Sequence, residues 1–583
     1  MTRPKPIKNN RKGFFVKFRP VAAVSLVSLA VLLLGACEKK AATPEKTSAV
    51  EQDYDATLVQ TPNATGNYLS ARSAFATRNF AKALEYTNAS LSQFPTNSAL
   101  LQQAFFLNII AERWQVADTI AQRILSITPD DYFANLVTIT HSLANKDYVL
   151  AEKQLNSLPQ GGVQQVWLSL YQAWVSLGQG AGQSASYVLQ AVDQVPELRP
   201  LVLLHNGLIN QVAGNTENAL NYFAQARQAI EVLPLRFVVL YGNLLNTQKQ
   251  TANLDAMLKS AEQDSDTVAV SQQILQRLQT NNTEGLGVIS SAKEGFGQAL
   301  YDVGTFLNSD RSRDAALIHT ALSLRLMPDN DFAKLLLGRL LEETNFHDKA
   351  LGFLSEIKQS SVFWSVAQIR RAQVLAADKK EAEAITILQK ALPENSTSFE
   401  IKEQLADLLR SQEKFVEAIP LYTEILEQIK DEKQNLWALY YARGTSYERT
   451  NQWDKAEADL KKALELEPNQ PFVLNYLGYS WVDKGINLED ALVMLHKAVE
   501  IEPENGYIVD SLGWAYYKME KYEEAVKYLE QAVSLNPSDP LINDHLGDAY
   551  LKAGRVNEAK FQWKRALSFD PEEKDKKRIE EKL

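Results

Sequence analysis

The sequence predicts an all-α fold: a superhelical solenoid of antiparallel helix pairs, preceded by a signal peptide and a flexible tether. Two observations predict the solenoid. Alanine recurs in steps of 34 residues, at Ala83, Ala117, Ala151, Ala185 and Ala219, then at Ala316, Ala350, Ala384 and Ala418. Small residues precede many of these alanines by twelve positions, and prolines follow several by twelve. A third observation predicts the front end. Seven basic residues and an apolar run lead to Cys37, the one cysteine among 583 residues.

Residues 1–36 read as an export signal. Arg3, Lys5, Lys8, Arg11, Lys12, Lys17 and Arg19 come before any acid. The 14-residue apolar run Val21–Leu34 follows, short of the ~20 residues a membrane-spanning helix needs. Leu34-Gly35-Ala36-Cys37 closes it and resembles a bacterial lipobox, in which an aliphatic and two small residues precede cysteine. That resemblance implies that the Cys37 thiol takes a diacylglycerol and that Cys37 becomes the acylated first residue of the mature chain. Several acyl chains anchor firmly, since each buried methylene contributes ~0.8 kcal/mol. Glu38 stands where aspartate would imply inner-membrane retention. The expectation is therefore an outer-membrane, lipid-anchored protein facing the periplasm. Residues 37–65 are polar, contain Pro44 and Pro62, and lack a helical period. They read as a lipidated flexible linker.

The whole chain carries 61 basic and 71 acidic residues; without the seven of the signal, 54 basic residues face 71 acids, a net charge of about −17. Such a surface argues against nucleic acid, whose binding rests on neutralising phosphates. With Cys37 consumed, no thiol remains for a disulfide, for thiol catalysis or for a thiolate metal site.

The alanine series continues through Ala456, Ala491, Ala525 and Ala559, with spacings of 38, 35, 34 and 34. Ala71, Gly207, Gly304, Gly338, Ala372, Ala406, Gly444, Gly513 and Gly547 are the small residues twelve positions earlier. Two helices approach closely only where side chains are small, so each member of a pair supplies Gly or Ala at the crossing. Larger residues fill the space beside it. Leu512, Tyr516 and Leu529 do so around Gly513, Ala525 and Ala532, and Leu546, Tyr550 and Trp563 around Gly547, Ala559 and Ala566. Pro95, Pro129, Pro328, Pro468, Pro503, Pro537 and Pro571 end second helices, because proline cannot continue one.

These residues resemble the tetratricopeptide repeat (TPR), closely over 437–571 and recognisably over about 66–226 and 296–426. The organisation expected is an amino-terminal degenerate array over 66–280, a linker or bend over 281–295, and a carboxy-terminal array over 296–571. The charged stretch 572–583 is expected to be a capping helix. A coiled coil is excluded, since a 34-residue period punctuated by Gly and Pro is not a heptad.

Catalytic and metal-ligating patterns are missing. His141, His205, His319, His347, His496 and His545 include no pair four residues apart. There is no phosphate-cradling glycine loop and no Gly-x-Ser-x-Gly elbow. The expectation is a protein that is not an enzyme and uses no cofactor or metal.

The TPR resemblance implies that the first helix of each unit lines a concave wall. Counted from the small residue, Tyr441, Phe472, Asn475, Tyr479, Tyr507, Asp510, Trp514, Tyr517, Asp544 and Asp548 face it. Aromatic and polar side chains there suit partner recognition, although rings also serve packing between helices. Trp481, Tyr516 and Tyr550 hold interior positions. TPR domains that clamp a terminal carboxylate place Lys, Asn and Arg on this wall. Acids and rings there favour a basic or amphipathic segment instead. The chain resembles bacterial TPR lipoproteins, which implies a lipid-anchored periplasmic scaffold for protein–protein interactions in export, assembly or biogenesis of the envelope. Its partners would be other envelope proteins or peptide segments. Two alternatives stand beside this: a regulator docking a peptidoglycan enzyme, and a glycan-binding export factor.

Overall fold

A computed structural model describes residues 64–583, apart from 78, 160–163, 191–197, 231–232, 262–267, 310–311, 394–397 and 430–435. Cys37, the signal and nearly all of the expected linker lie outside the described residues. Among the described residues there are thirty α-helices and no strand. None of these helices is long and apolar enough to cross a membrane.

Consecutive helices pack as pairs, from Ala64–Ala76 with Phe80–Gln93 to Pro540–Lys552 with Val556–Ser568. The small residues do sit at the crossings. A Cβ on Gly207 would come within 2.8 Å of Phe223, one on Gly338 within 2.8 Å of Leu354, and one on Gly513 within 2.7 Å of Leu529. Ala83, Ala117, Ala219, Ala525 and Ala559 are fully buried. Between pairs, the proline turns are tied down by side chains. Asn135 Nδ2 donates to the carbonyls of Pro129 and Asp131 at 3.0 and 2.9 Å, and Asn543 Nδ2 to those of Pro537 and Asp539 at 3.2 and 2.7 Å. Asp131 and Asp539 also accept from backbone N–H groups that open the next helix, so each acts as its N-cap.

Among the described residues the chain forms two compact units, meeting between Ile387 and Leu388. The expected linker at 281–295 is not that boundary. Leu286 and Ile289 are buried, and Arg236 donates to the carbonyls of Leu286 and Gly287. The segment belongs to the first unit because its apolar residues and carbonyls find partners there.

In three successive hairpins of the first unit the wall positions are buried. Leu136, Leu170 and Leu204 lie fifteen residues before a hairpin alanine, and Thr140, Trp174 and Leu208 lie eleven before; all are buried. The hairpin Ala292–Ser309 with Arg313–Leu326 packs against their helices. Gly295 lets Trp174 approach: a Cβ there would be 2.0 Å from the indole. Trp174 Nε1 donates to His205 Nδ1 at 3.0 Å, leaving His205 Nε2 to donate to Asp302 at 3.1 Å. Arg325 meets Asp118 with two bonds of 2.8 and 2.6 Å. Phe346 closes the far side against Phe75, Phe80 and Phe106. The groove of the amino-terminal hairpins is thus filled by the chain itself.

The second unit stacks five hairpins and ends in the helix Glu573–Glu580. The first helices Pro471–Lys484, Gly506–Lys518 and Pro540–Lys552 pack side by side. The extra residue in the turn after Lys484 is absorbed by two left-handed residues, Gly485 at φ 68° and Asn487 at φ 48°. Trp481 and Tyr550 are buried as expected. Tyr516 is only half-buried, packed at the edge of the core: its ring stacks on Tyr528 at 5.5 Å and its hydroxyl bonds His496 at 2.7 Å.

Candidate partner-binding wall

The candidate wall residues fall into rows set by the repeat. Tyr441, Asn475, Asp510 and Asp544 form one, at steps of 34, 35 and 34. Tyr479, Trp514 and Asp548 form a second, four residues further along each first helix. Residues four apart lie on one helix face, so the rows run in parallel across three side-by-side helices.

The rings are held by one another. Trp514 stacks on Tyr517 at 4.6 Å and on His545 at 4.1 Å. Tyr441 meets Tyr476 edge-on at 5.9 Å. Tyr479 is buried, and burial together with the Asp510 carboxylate pushes its hydroxyl upward in pKa. Phe472 packs into the small cluster of Leu474, Ala498 and Ile508. Tyr507 is half-buried, and its carbonyl accepts from Ser511 Oγ at 3.0 Å.

The three aspartates are not open charges. Asp510 is buried and bonded at 3.0 Å to His545 Nδ1. Burial alone would lower the pKa of His545, but Asp510 more than reverses this, aided by Asp544 and Asp548, so the imidazole titrates above its ordinary value. Asp544 is fully buried and paired with Arg578 and Lys582, the latter at 2.8 Å. Asp548 also meets Lys582, at 2.7 Å. Burial and the neighbouring Asp544 carboxylate raise the pKa of Asp548.

Asn475 is the exception. It is only 5% exposed, and among the described residues its amide oxygen is shut off from solvent without a donor.

Sequence reasoning missed four participants. Arg578 and Lys582 stand 34 residues after Asp544 and Asp548, so the terminal helix continues both rows with the charge inverted. That register was legible. Glu403 and Asp407 lie fifteen and eleven residues before Ala418, at the same wall positions one hairpin ahead of Tyr441. Asp407 accepts from the Tyr422 hydroxyl at 2.7 Å. Burial, then Asp407 and Glu400, push Glu403 up to about 7. His545 is a fifth participant, and no spacing rule marks it. The arrangement offers acceptors, rings and one unsatisfied amide; among the described residues no group of three His, Cys, Asp or Glu could hold a metal.

Comparison with known proteins bears on the same unit. Tetratricopeptide-repeat family models match residues 403–436 and 437–470, and a TPR-repeat model matches 513–554. No curated protein sequence matches the chain. Among solved structures, the APC/C hetero-tetramer Cut9–Hcn1 aligns at 16% identity over 82% of this chain and 94% of its own, with a TM-score of 0.36. A tetratricopeptide repeat protein from Parabacteroides merdae aligns at 16% identity over 49% of this chain and 98% of its own, TM-score 0.33. MamA from Desulfovibrio magneticus RS-1 aligns at 19% identity over 30% and 94%, TM-score 0.27.

Proposed function

We propose, from the premise that this chain is a tetratricopeptide-repeat protein and hence a scaffold for protein–protein interaction, that it works at the cell envelope. In this reading Cys37 carries lipid that anchors it to the outer membrane, and the body faces the periplasm. There it holds protein partners of an export, assembly or biogenesis complex on the first-helix wall of residues 437–548. The wall residues Tyr441 to Asp548 named above are its docking surface.

One observation supports the choice of that surface. Wall residues Leu136, Leu170, Trp174, Leu204 and Leu208 of the first unit are buried and the hairpin 292–326 packs on their helices, whereas the second unit's wall carries acids and rings. A groove filled by packed leucines and an indole has no surface left for a partner. The glycan reading needs an open ring face for a sugar to lie on, and Trp514 is already stacked on Tyr517 and His545.

The test is photocrosslinking in intact cells with a crosslinking residue at 514, alongside metabolic labelling with palmitate. Expected are a defined envelope protein captured from position 514, little captured from position 170 inside the filled groove, and label that disappears in Cys37→Ser. Equal capture at both positions would remove the docking assignment, and unlabelled wild-type chain would remove the anchor.

A further inference from the structure

We propose that this chain pairs with a second copy of itself through the first unit, Tyr187 of each copy entering a cavity of the other. The surface lies where the helices Tyr148–Asn156, Gln164–Gly178, Gly182–Gln190 and Arg199–Val212 begin or end. It shares no residue with the wall at 437–548, so either can fail without the other.

Shape carries the first part of the argument. A cavity of about 730 Å³ lies there, with Tyr148, Gly178, Gly182, Ser184, Val212 and Ala213 among its lining. Its breadth comes from missing side chains. Tyr148 lies against Gly178, where a Cβ would come within 2.2 Å of the ring, and nothing stands within 4 Å of a Cβ built on Gly180. One turn beyond Ser184, on the same face of its helix, Tyr187 is 74% exposed. Val149, next to Tyr148, is 72% exposed and Leu150 42%. A knob and a hole thus share one surface. A two-fold axis requires this, because what each copy inserts it must also receive.

Charge carries the second part. From Gln154 to Val192 no residue is charged, although 23% of the whole chain is. Lys146, Asp147, Glu152, Lys153 and Glu217 border the surface in sequence, two cations against three acids. At physiological salt a charge is felt over ~8 Å, so the facing surfaces decide repulsion rather than the net charge of the body. A face on a two-fold axis meets its own image, and every charge near the axis meets its own sign. An acidic chain therefore pairs with itself best across a charge-free face. A charged partner would find no counter-charge there. The exposed tyrosine and valine gain from being covered, and a tyrosine brings a large contact area at low entropy cost.

The test uses the full chain. In intact cells making two differently tagged copies, an aromatic photocrosslinking residue replaces Tyr187. Expected is a product of twice the chain mass carrying both tags. None is expected from position 85, an exposed place on the helix Phe80–Gln93. The purified chain in detergent is then followed by sedimentation velocity, where the wild type should dimerise as concentration rises. Tyr187→Glu carries a charge into each apolar contact and should raise the dimer Kd at least about tenfold. Gly182→Leu fills the cavity from within and should do the same, while a Cβ at 182 meets nothing closer than 3.5 Å. Tyr187→Phe keeps the ring and should keep the dimer. Circular dichroism checks that each variant retains its helix content.

A monomer at every concentration would overturn the pairing, as would crosslinks from 187 that reach only a different protein or only lipid. A dimer that survives both Tyr187→Glu and Gly182→Leu would overturn the choice of surface. Should Tyr187→Glu lose helix content, Gly182→Leu decides by itself.

Discussion

Gly513 shows how much a single residue decides. Its missing Cβ lets Leu529, itself fully buried, come within 2.7 Å of where that carbon would be. Neighbouring Ala515 and Ala525 are also fully buried, which leaves the leucine nowhere to move. Gly513→Ala is therefore expected to destabilise the second unit by about 1–3 kcal/mol, the cost of overpacking a filled site, read as a lower urea midpoint. An unchanged midpoint would mean that the crossing is looser than its geometry. Gly513 was legible because a crossing constrains one position in a fixed register. His545 was not: it owes its role to Asp510, 35 residues earlier, and to the stack with Trp514, and neither partner follows from the imidazole's own place in the repeat. Asn475 was legible as a wall residue, but its unsatisfied amide depends on what fails to reach it.

At the scale of the element, the hairpin turn is the recurring device. Among the described residues most hairpin turns hold a residue in a left-handed conformation, with φ of 60° at Lys146, 58° at Glu413 and 62° at Glu520, while Gly214 and Gly554 fill the same place at 82° and 80°. A side chain there is strained by roughly 1–2 kcal/mol, and glycine is not. Glu520→Gly should accordingly stabilise the second unit by about 0.5–1 kcal/mol, seen as a raised midpoint. A lowered midpoint would mean that the added freedom of the unfolded chain outweighs the relief. The turn register follows from the 34-residue period, which is why helix pairing could be read in advance. The hairpin Ala292–Ser309 with Arg313–Leu326 has the same internal register, so nothing local announced that it packs into the preceding groove. A signal existed in its hosts: Ser98–Ile110, Tyr132–Ala144 and Gln164–Gly178 carry apolar residues on nearly every face, which a helix with one open face does not need.

At the scale of the whole molecule, the two units should respond to pH in opposite directions. In the first, His319 is buried; its Nδ1 donates to the Ala315 carbonyl at 2.8 Å and its Nε2 accepts from the Tyr132 hydroxyl at 3.2 Å. Burial pushes its pKa down to about 4. Below its ordinary value of 6.5 the unfolded chain is then the better proton acceptor. Stability of this unit falls with pH, by on the order of 3 kcal/mol once pH 4 is reached. In the second unit the raised pKa of His545 reverses the sign. Its contribution is complete below the ordinary value and is lost as pH rises through the raised one. Backbone hydrogen-exchange protection should weaken across 64–387 at pH 5 and across 388–583 at pH 8. His319→Asn should flatten the first slope and His545→Gln the second. Parallel slopes in both units would refute the assignment.

The sequence by itself determined the helix pairs, their crossing residues, the turns between them and the register of the wall, because each depends on residues within one repeat length. The same reading set the front end apart from the repeats, since its charge and apolar run have a pattern of their own. Only the tertiary structure decided that the bend at 281–295 folds into the first unit, that one groove is filled and that Asp544 and Asp548 hold Arg578 and Lys582. Those outcomes depend on which apolar and charged faces meet across many repeats. A periodic sequence presents the same faces again and again, and burial is settled only once the chain has chosen among them.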